Sequence, residues 1–411
     1  MAVGALEHVF RREWPRMLAA MIRYTGSLEL AEDCLQEAML RATTARDREL
    51  LINPGAWITT VAKRIAVDTA RRDAVLRTKL PLLAAGEASD FVLDDHLESP
   101  IGDDRLGLLF VACAPELATE TRLALALRFV CGIPTVDIAD AMLVSHTSMS
   151  ARLTRAKRQI ERSGIRFAPP DGANEAERLR DVLATVHVLY TVGHTAFDGD
   201  QLGSRPVATT AIDLARGLHA FAPTDSETTG LLALLILTDA RSAGRVDDQG
   251  SVVTLEHADR RLWRRDRIDE GLELAALALP GGGQLALQAG ISGLHSSAPT
   301  WAATDWSAIC SLYDRLVDRW PAPSAQLARV IARSFLLGPQ RGLDELADVE
   351  AELPVSTTRQ ALAARADMLG RLGRVNEARD AYIRARSHER NGPIRGYYGR
   401  RIDELSASDR A

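Results

Sequence analysis

The sequence predicts an all-α protein that contains two small helical domains followed by a longer helical-repeat region. Apolar residues recur three or four positions apart along most of the 411-residue chain, which is the spacing of one helix face. Strand-like alternation is confined to residues 252–255, after a turn at residues 247–250. The composition, 46% hydrophobic and 5% aromatic, is typical of helical proteins rich in alanine and leucine. Together these observations favour helices packed on helices.

The overall charge and the cysteine positions limit which kinds of nucleic-acid, disulfide or metal site the protein can contain. The formal charge is −5, so any surface that binds nucleic acid must be a local basic patch. Two stretches are locally basic: residues 63–79, and residues 145–168 with six basic residues against one acidic residue. The four cysteines are far apart and form no CxxC or Cys/His cluster, which argues against a disulfide framework or a zinc site.

The N-terminus lacks a basic-then-apolar signal, and the longest apolar run, residues 231–237, is too short to span a bilayer. We therefore expect a cytoplasmic protein that makes no membrane contact. We also predict no catalytic residue, no cofactor and no metal ligand.

The first well-marked helix covers residues 28–42. One side carries small and apolar residues, including Ala31, Leu35 and Ala38, and the opposite side is a polar, mostly acidic ridge. The ridge is either a solvated helix face, which is the commoner case, or a surface for a protein partner. Its residues are Glu32, Asp33, Gln36, Glu37 and Arg41.

A second helix is predicted over residues 53–72. Asn53 is a favourable N-cap and Pro54 suits the first helical position. Trp57 stands at the leading edge of a basic patch, either as a core residue or as a platform for an unpaired base. Positive charge beside an aromatic ring suits binding of a nucleic-acid backbone with unstacked bases. The outward basic residues are Lys63, Arg64, Arg71 and Arg72.

Residues 134–162 predict a helix-turn-helix. A first helix over 135–142 is followed by a turn at 143–144, and Ser145 caps a second helix. The second helix places Met149, Leu153, Ala156 and Ile160 on one buried face. In a major groove, its early residues would meet base edges and its later basic residues would meet phosphates. The early residues are His146, Thr147, Ser148 and Ser150, and the basic residues are Arg152, Arg155, Lys157 and Arg158. The alternative is an ordinary amphipathic helix with a solvated charged face.

Between these parts, residues 76–103 hold two prolines, two glycines and six acidic residues with little periodicity, which predicts an acidic linker. The stretch 167–170 predicts a second boundary, and residues 171–411 are rich in helical patterns. The predicted organisation is therefore a domain at 1–75, a linker at 76–103, a helix-turn-helix domain at 104–168 and a helical extension at 171–411.

Three separated motifs resemble the extracytoplasmic-function sigma factors of bacterial RNA polymerase. Ala31-Glu32-Asp33-x-x-Gln36-Glu37 resembles the polymerase-clamp helix of sigma region 2. Trp57-x-x-x-Val61-Ala62-Lys63-Arg64-x-Ala66-x-Asp68-x-x-Arg71-Arg72 resembles the helix of that region that faces melted promoter DNA. Ile138-Ala139-x-x-x-x-Val144-Ser145-x-x-x-Met149-x-x-Arg152-Leu153-x-Arg155-Ala156-Lys157 resembles the helix-turn-helix of sigma region 4.

The resemblance implies a role for each motif. The ridge of Glu32, Asp33, Gln36 and Glu37 would dock on the clamp of the largest subunit of core RNA polymerase. The start-proximal promoter element would be held by Asn53, Trp57, Lys63, Arg64, Arg71 and Arg72. The residues of the second basic helix would contact the upstream element. The acidic linker would either mimic nucleic acid in a polymerase channel or act as a solvated tether. Two positions depart from the family pattern: Leu143, where glycine is frequent, and Ser150, where lysine is frequent.

The extension resembles the long C-terminal region of one sigma subclass, with Trp263, 304–306 and 313–314 among the matching landmarks. Residues 359–391 resemble a tetratricopeptide repeat, since Gly373, Ala378, Tyr382 and Ala385 suit two interlocking helices. Residues 191–194 depart from the subclass, which has an Asn-Glu-Gly-Tyr segment there. The resemblance implies a sigma factor that brings core polymerase to promoter DNA and is regulated by its own extension, together with a regulator that acts on the extension.

Two other classes fit parts of the sequence. One is a helix-turn-helix repressor or activator with a ligand-sensing repeat domain, and the other is a helical scaffold whose basic helices are only surface. An enzyme is disfavoured, because the polar cluster of His187, His194, His219, Asp198 and Asp200 is accompanied by no known catalytic motif. The three consecutive glycines at 281–283 are expected to form a loop between helices.

Overall fold

The computed structural model describes residues 3–45, 53–79, 104–142, 144–163, 175–196, 199–350 and 355–408. These residues form eighteen α-helices, and their only β-pairing consists of two isolated bridges. The predicted all-α class is confirmed. The chain divides into two compact units, residues 1–189 (unit 1) and residues 190–411 (unit 2).

Unit 1 covers the ranges predicted for the two small domains. The helices of its first part are α1 (Val3–Thr25), α2 (Leu28–Thr44) and α3 (Pro54–Lys79). The helices of its second part are α4 (Asp104–Ala112), α5 (Thr119–Leu125), a π-helical turn (Ala126–Val130), α6 (Thr135–Ala141) and α7 (His146–Ser163). Helix α8 (Glu175–His194) begins in unit 1 and its last five residues belong to unit 2.

The first three helices pack on one another around fully buried side chains, among them Trp14, Leu18, Leu35 and Ile58. Ser27 caps α2 by accepting a hydrogen bond from the Leu30 backbone N–H at 3.2 Å. Asn53 caps α3 in the same way through the Ala56 N–H at 3.1 Å, and Pro54 is the first helical residue, as predicted. Local capping therefore fixes where both helices begin.

The predicted helix-turn-helix is present as α6 and α7. The Ser145 hydroxyl accepts a hydrogen bond from the Ser148 N–H at 3.1 Å, so the expected N-cap is confirmed. Met149, Leu153, Ala156 and Ile160 are all buried, as their spacing predicts. Helix α6 ends at Ala141, one residue earlier than expected, and Leu143 of the turn lies outside the described residues.

The two predicted small domains do not lie apart in the structure. Helix α1 packs on α4, and α2 packs on α7, so both belong to one compact unit. Helix α3 continues to Lys79, so the first four residues of the expected linker are helical. The rest of the linker, residues 80–103, and the boundary predicted at residues 167–170 lie outside the described residues.

The first part of α8 packs within unit 1, although the sequence assigned this helix to the extension. The Arg122 guanidinium and the Asp181 carboxylate lie 2.6 Å apart, and Arg178 donates to the Phe110 carbonyl at 3.1 Å. Cys113 lies 3.3 Å from the Thr185 hydroxyl in the buried core. The division between the compact units therefore falls about twenty residues after the predicted domain boundary.

Unit 2 is a series of helices in which consecutive members pack on one another. They are α9 (Arg205–Phe221), α10 (Ser226–Ala240), α11 (Arg265–Ala278), α12 (Gln284–Ser297), α13 (Trp306–Arg319), α14 (Pro323–Leu336), α15 (Pro339–Glu350), α16 (Val355–Arg371), α17 (Val375–Ser387) and α18 (Gly392–Ser408). Short 3₁₀ turns occur at Arg260–Leu262 and Leu279–Gly281. The predicted turn at residues 247–250 is present, and the strand-like stretch after it forms one bridge between Val246 and Val252.

Helices α16 and α17 correspond to the predicted tetratricopeptide-like pair. Gly373 lies between them with φ near +74°, a conformation that glycine adopts without strain. Ala378, Tyr382 and Ala385 of α17 are buried in the cluster that α16 and α18 complete. The small and aromatic residues of the repeat pattern therefore form the packed face of this pair.

Candidate nucleic-acid and polymerase interface

The first turn of α7 presents a polar, accessible surface. His146, Thr147 and Ser148 are exposed, because the helix buries its opposite face through Met149 and Leu153. Ser145 holds this end in place by capping the helix. Three of the four side chains predicted to meet base edges are thus on the surface, while Ser150 is half-buried.

The basic residues of α7 divide into two groups. Arg155 and Arg158 are exposed, and Arg152 is half-buried along the same helix. Lys157 turns towards α2 instead, and its side chain is only 14% exposed. Three of the four predicted phosphate contacts therefore remain on the outer surface of α7.

Glu32 of α2 is the partner of Lys157. The Lys157 ammonium lies 3.0 Å from Glu32 Oε2, and Arg128 Nη2 of the π-helical turn lies 3.0 Å from Glu32 Oε1. Gln36 also donates to Glu32 Oε1 at 3.0 Å. Glu32 is only 4% exposed, so its carboxylate lies between two cations inside unit 1. We call Glu32, Arg128 and Lys157 the Glu32 triad.

Arg128 is the member of the triad that the sequence analysis missed. Its guanidinium also lies over the Trp14 ring, 5.3 Å from the ring centroid, and its side chain is 12% exposed. The signal that could have found it is a single charge inside the apolar run 123–130, since a buried charge requires a partner. Nothing in the sequence indicates that this partner is Glu32.

Further polar contacts join helices α1 and α2 of unit 1 to α4 and α7. The Ser27 hydroxyl donates to Glu161 Oε1 at 2.7 Å, and the Glu29 N–H donates to the same oxygen at 3.2 Å. On another side, Arg23 pairs with Asp104 at 2.5 Å. Helix α2 is therefore bonded near its N-terminus to Glu161 in the last turn of α7. One turn later, its Glu32 is bonded to Arg128 and Lys157.

The remaining residues of the acidic ridge are more accessible. Asp33 and Gln36 are exposed, and Glu37 is half-buried and pairs with Arg41 at 2.9 Å. Partial burial raises the pKa of Asp33, while the charge of Lys157 opposes this shift. Three of the four predicted polymerase contacts therefore lie where a protein partner can reach them.

Helix α3 carries the second basic surface. Arg64, Arg71 and Arg72 are exposed, and Lys63 lies over the Tyr24 ring at 4.8 Å from its centroid. Trp57 is half-buried, so its ring is neither fully in the core nor fully presented to solvent. Asn53 is exposed, but its side-chain oxygen already caps α3.

His194 and His219 of the polar cluster singled out in the sequence have different hydrogen-bond partners. Tyr190 and His194 are hydrogen-bonded at 3.3 Å, and Thr229 and His219 at 3.2 Å, while His187 is half-buried on α8. Asp198 lies outside the described residues. Within the described ranges there is no group of three or more His, Cys, Asp or Glu residues that could hold a metal ion.

None of the described helices is both long and apolar enough to cross a bilayer.

Comparisons with known proteins identify the N-terminal part of the chain. The profile of Sigma-70 region 2 matches residues 9–75, which comprise α1 to α3. Over 216 residues the chain is 29% identical to "ECF RNA polymerase sigma factor SigG" of Mycobacterium tuberculosis, a match that covers 47% of this chain and 56% of that protein. The chain belongs to the ECF sigma factor family. It also carries a long C-terminal extension beyond the sigma regions.

Three further matches were found for this sigma factor. It is 24% identical over 205 residues to "ECF RNA polymerase sigma factor SigJ" of Mycobacterium tuberculosis, covering 48% of this chain and 65% of that protein. It is 36% identical over 406 residues to "Uncharacterized protein R00370" of Rhizobium meliloti, covering 96% of this chain and 94% of that protein. A profile described as "Family of unknown function (DUF6596)" matches residues 178–279.

The family gives the function in outline. The protein is an alternative sigma factor that acts in transcription initiation, and its family implies binding to core RNA polymerase and promoter DNA. Sigma factors are generally not enzymes.

Proposed function

We propose that this sigma factor reads the upstream promoter element with α7 and holds the opened start-proximal element with α3. The observation that carries the proposal is the exposed polar end of α7, where His146, Thr147 and Ser148 precede the exposed Arg155 and Arg158. A major groove accepts one helix, base edges are read by its first polar residues, and phosphates bind its arginines. The exposed arginines of α3 supply the second contact with the DNA backbone.

The polymerase contact that we propose is the accessible part of the α2 ridge. Asp33, Gln36 and Glu37 would dock on the clamp of the largest polymerase subunit. Glu32 has a different position, because it is buried against Arg128 and Lys157. Its use by polymerase would require these ion pairs to open.

We further propose that the extension regulates initiation in cis. Helix α8 supports this idea, because it begins among the buried contacts of unit 1 and ends in unit 2. Asp181 and Thr185 of α8 bind Arg122 and Cys113 next to the helix-turn-helix. A change in the extension that disturbs α8 would therefore also disturb its contacts with Arg122 and Cys113 in unit 1.

The test compares the full chain with a truncated chain in two assays: pull-down with core RNA polymerase, and run-off transcription from genomic fragments. Truncation after Ser204 keeps α8 complete and retains the hydrogen bond from the Ser204 N–H to the Gly193 carbonyl at 2.7 Å. Truncation at residue 170 would remove α8 from the core of unit 1 and is therefore the poorer variant. Circular dichroism establishes that the truncated chain is folded.

We expect polymerase-dependent transcripts from the full chain and a changed yield from the truncated chain. Unchanged transcription and unchanged polymerase affinity after truncation would remove the regulatory proposal. Tight promoter binding without polymerase would instead indicate a helix-turn-helix repressor or activator. Failure of both the full and truncated chains to bind polymerase would overturn the proposed polymerase contact.

A further inference from the structure

Unit 2 contains a cavity of about 360 Å³ that the sigma-factor function does not use. It lies between helices α14, α16, α17 and α18 and the loops that carry Leu255 and Trp301. Its volume is within the range of small-molecule sites in proteins. All of its lining residues belong to the extension, and none is among the predicted DNA or polymerase contacts.

One wall of the cavity is aromatic. Trp301 and Phe335 meet edge to face with their ring centroids 5.1 Å apart, and Trp306 stacks on Phe335 at 4.6 Å behind them. Tyr382 and Tyr397 form another aromatic pair at 6.4 Å. Trp301, Phe335 and Tyr397 are each only partly buried, so their surfaces are available to a molecule in the cavity.

The acidic part of the lining is formed by Asp367 and Glu256. The Asp367 side chain is 35% exposed, and its Oδ2 lies 3.6 Å from Arg371 Nη1, too far for a good hydrogen bond. Burial raises the pKa of Asp367, the Arg371 charge opposes this shift, and the nearby Glu256 carboxylate adds to it. Asp367 is therefore a partly exposed carboxylate at the cavity whose ion pair with Arg371 is long.

The two arginines of the lining already have close partners. Arg371 donates to the Ser334 carbonyl at 2.7 Å and to the Ser334 hydroxyl at 3.1 Å, and it stacks on Phe335. Arg401 donates to Glu404 at 2.5 Å and also to Tyr382. An anionic ligand would have to compete with these acceptors, whereas a cationic ligand would add a closer donor to Asp367 beside its long ion pair with Arg371.

We propose that this cavity binds a small organic ammonium ion that carries an aromatic or bulky aliphatic group. The ammonium donates to Asp367 and lies near Glu256, and the hydrocarbon part packs on Trp301 and Phe335. Charge-assisted hydrogen bonds and contacts with aromatic faces are the two interactions that proteins use for such ligands.

The experiment measures binding to the purified full chain by isothermal titration calorimetry. The probes are 2-phenylethylamine and tryptamine as amines, 2-phenylethanol as the neutral analogue and 3-phenylpropanoate as the acid. Two variants remove parts of the site: Asp367→Asn removes the acceptor charge, and Trp301→Ala removes the aromatic wall. Asp380→Asn is the matched control, because Asp380 is an exposed carboxylate on α17 outside the lining.

We expect the amines to bind while the alcohol and the acid bind at least about tenfold more weakly, since a charge-assisted bond is lost. Asp367→Asn should lower amine affinity by a similar factor, and Asp380→Asn should leave it unchanged. Equal binding of amine and alcohol, preference for the acid, or unaltered amine affinity in Asp367→Asn would overturn the proposal. Absence of binding by either amine at millimolar concentration would also overturn it, provided that the thermal unfolding curve shows an intact chain.

Discussion

The Lys157 ammonium lies 3.0 Å from the Glu32 carboxylate, so α7, the helix proposed to read promoter DNA, is bonded to α2, the helix proposed to dock on polymerase. Each residue is predicted to contact a different partner. Because both side chains are largely buried in this ion pair, Lys157 can reach a phosphate, and Glu32 can reach polymerase, only after the ion pair has opened. The structure therefore holds these two residues away from the partners proposed for them.

The first prediction concerns the stability that the Glu32 triad contributes. Glu32→Ala would leave the Arg128 and Lys157 cations in a largely buried site without their shared anion. Removal of one partner from a buried ion pair is strongly destabilising, so we expect the free energy of unfolding to fall by about 3 kcal/mol. Urea denaturation followed by circular dichroism measures this change.

Glu37→Ala is the matched control on the same helix. Glu37 and Arg41 form an ion pair in which both side chains are about half exposed, and such pairs contribute less than about 1 kcal/mol. Equal loss of stability in the two variants would contradict a special role for the triad.

The second prediction concerns the phosphate contacts of α7. Replacement of Arg155 and Arg158 by alanine should weaken polymerase–promoter complexes on all promoters, because phosphate contacts carry no sequence information. The plot of log affinity against log salt concentration should lose roughly two units of slope. Fluorescence anisotropy of labelled promoter DNA over a salt series gives both quantities. Arg384→Ala, an exposed arginine in unit 2, should change neither, and a loss confined to one promoter sequence would argue against phosphate contacts.

The third prediction concerns the close approach of α10 and α12. A methyl group on Gly230 would lie 2.6 Å from the backbone nitrogen of Ala286, where neither backbone can move easily. We therefore expect Gly230→Ala to lower the melting temperature of unit 2 strongly. Gly370→Ala places its methyl group 4.0 Å from Ala378 in open helical surroundings, so it should be neutral or raise stability by up to about 1 kcal/mol. Calorimetry of both variants checks the contrast, and similar melting temperatures would show that α10 and α12 can move apart.

The fourth prediction concerns the pH dependence of unit 2. Burial lowers the pKa of His194 to about 3 and that of His295 to about 4, from an ordinary value of 6.5. The charges of Arg245 and Arg241 lower the pKa of His194 further. The charges of Arg241 and Arg260 do the same for His295. Between pH 6.5 and 5 the unfolded chain therefore binds protons that the folded chain does not.

The free energy of unfolding should consequently decrease as the pH falls from 7 to 5, by up to about 2 kcal/mol for each histidine. Urea titrations across this range measure the decrease. His194→Gln and His295→Gln should flatten it, whereas His388→Gln, which replaces an exposed histidine, should not. An unchanged slope in both buried-histidine variants would show that other groups cause the acid sensitivity.

Much of the helical framework could be predicted because its signals are local. Ser145 and Asn53 cap the helices that they precede, and the spacing of Met149, Leu153 and Ile160 determines which face of α7 is buried. An N-cap acts within about three residues, and the apolar face of a helix repeats every three or four residues. Residues close together in the sequence therefore determine where a helix begins and which face it buries. The exposed residues of α7 and α3 that are predicted to contact DNA were identified from the same periodicity.

The partners of buried charges were decided only by the tertiary structure. Glu32 is separated by 96 residues from Arg128 and by 125 from Lys157, and no local pattern links positions so far apart. The same holds for the cavity of unit 2, where Glu256 and Asp367 meet across several helices. The sequence by itself determined where helices begin, which faces they bury and which family the motifs resemble. Tertiary packing decided which of the polar residues stayed on the surface, because a charge is buried only where the fold places an oppositely charged or hydrogen-bonding group next to it.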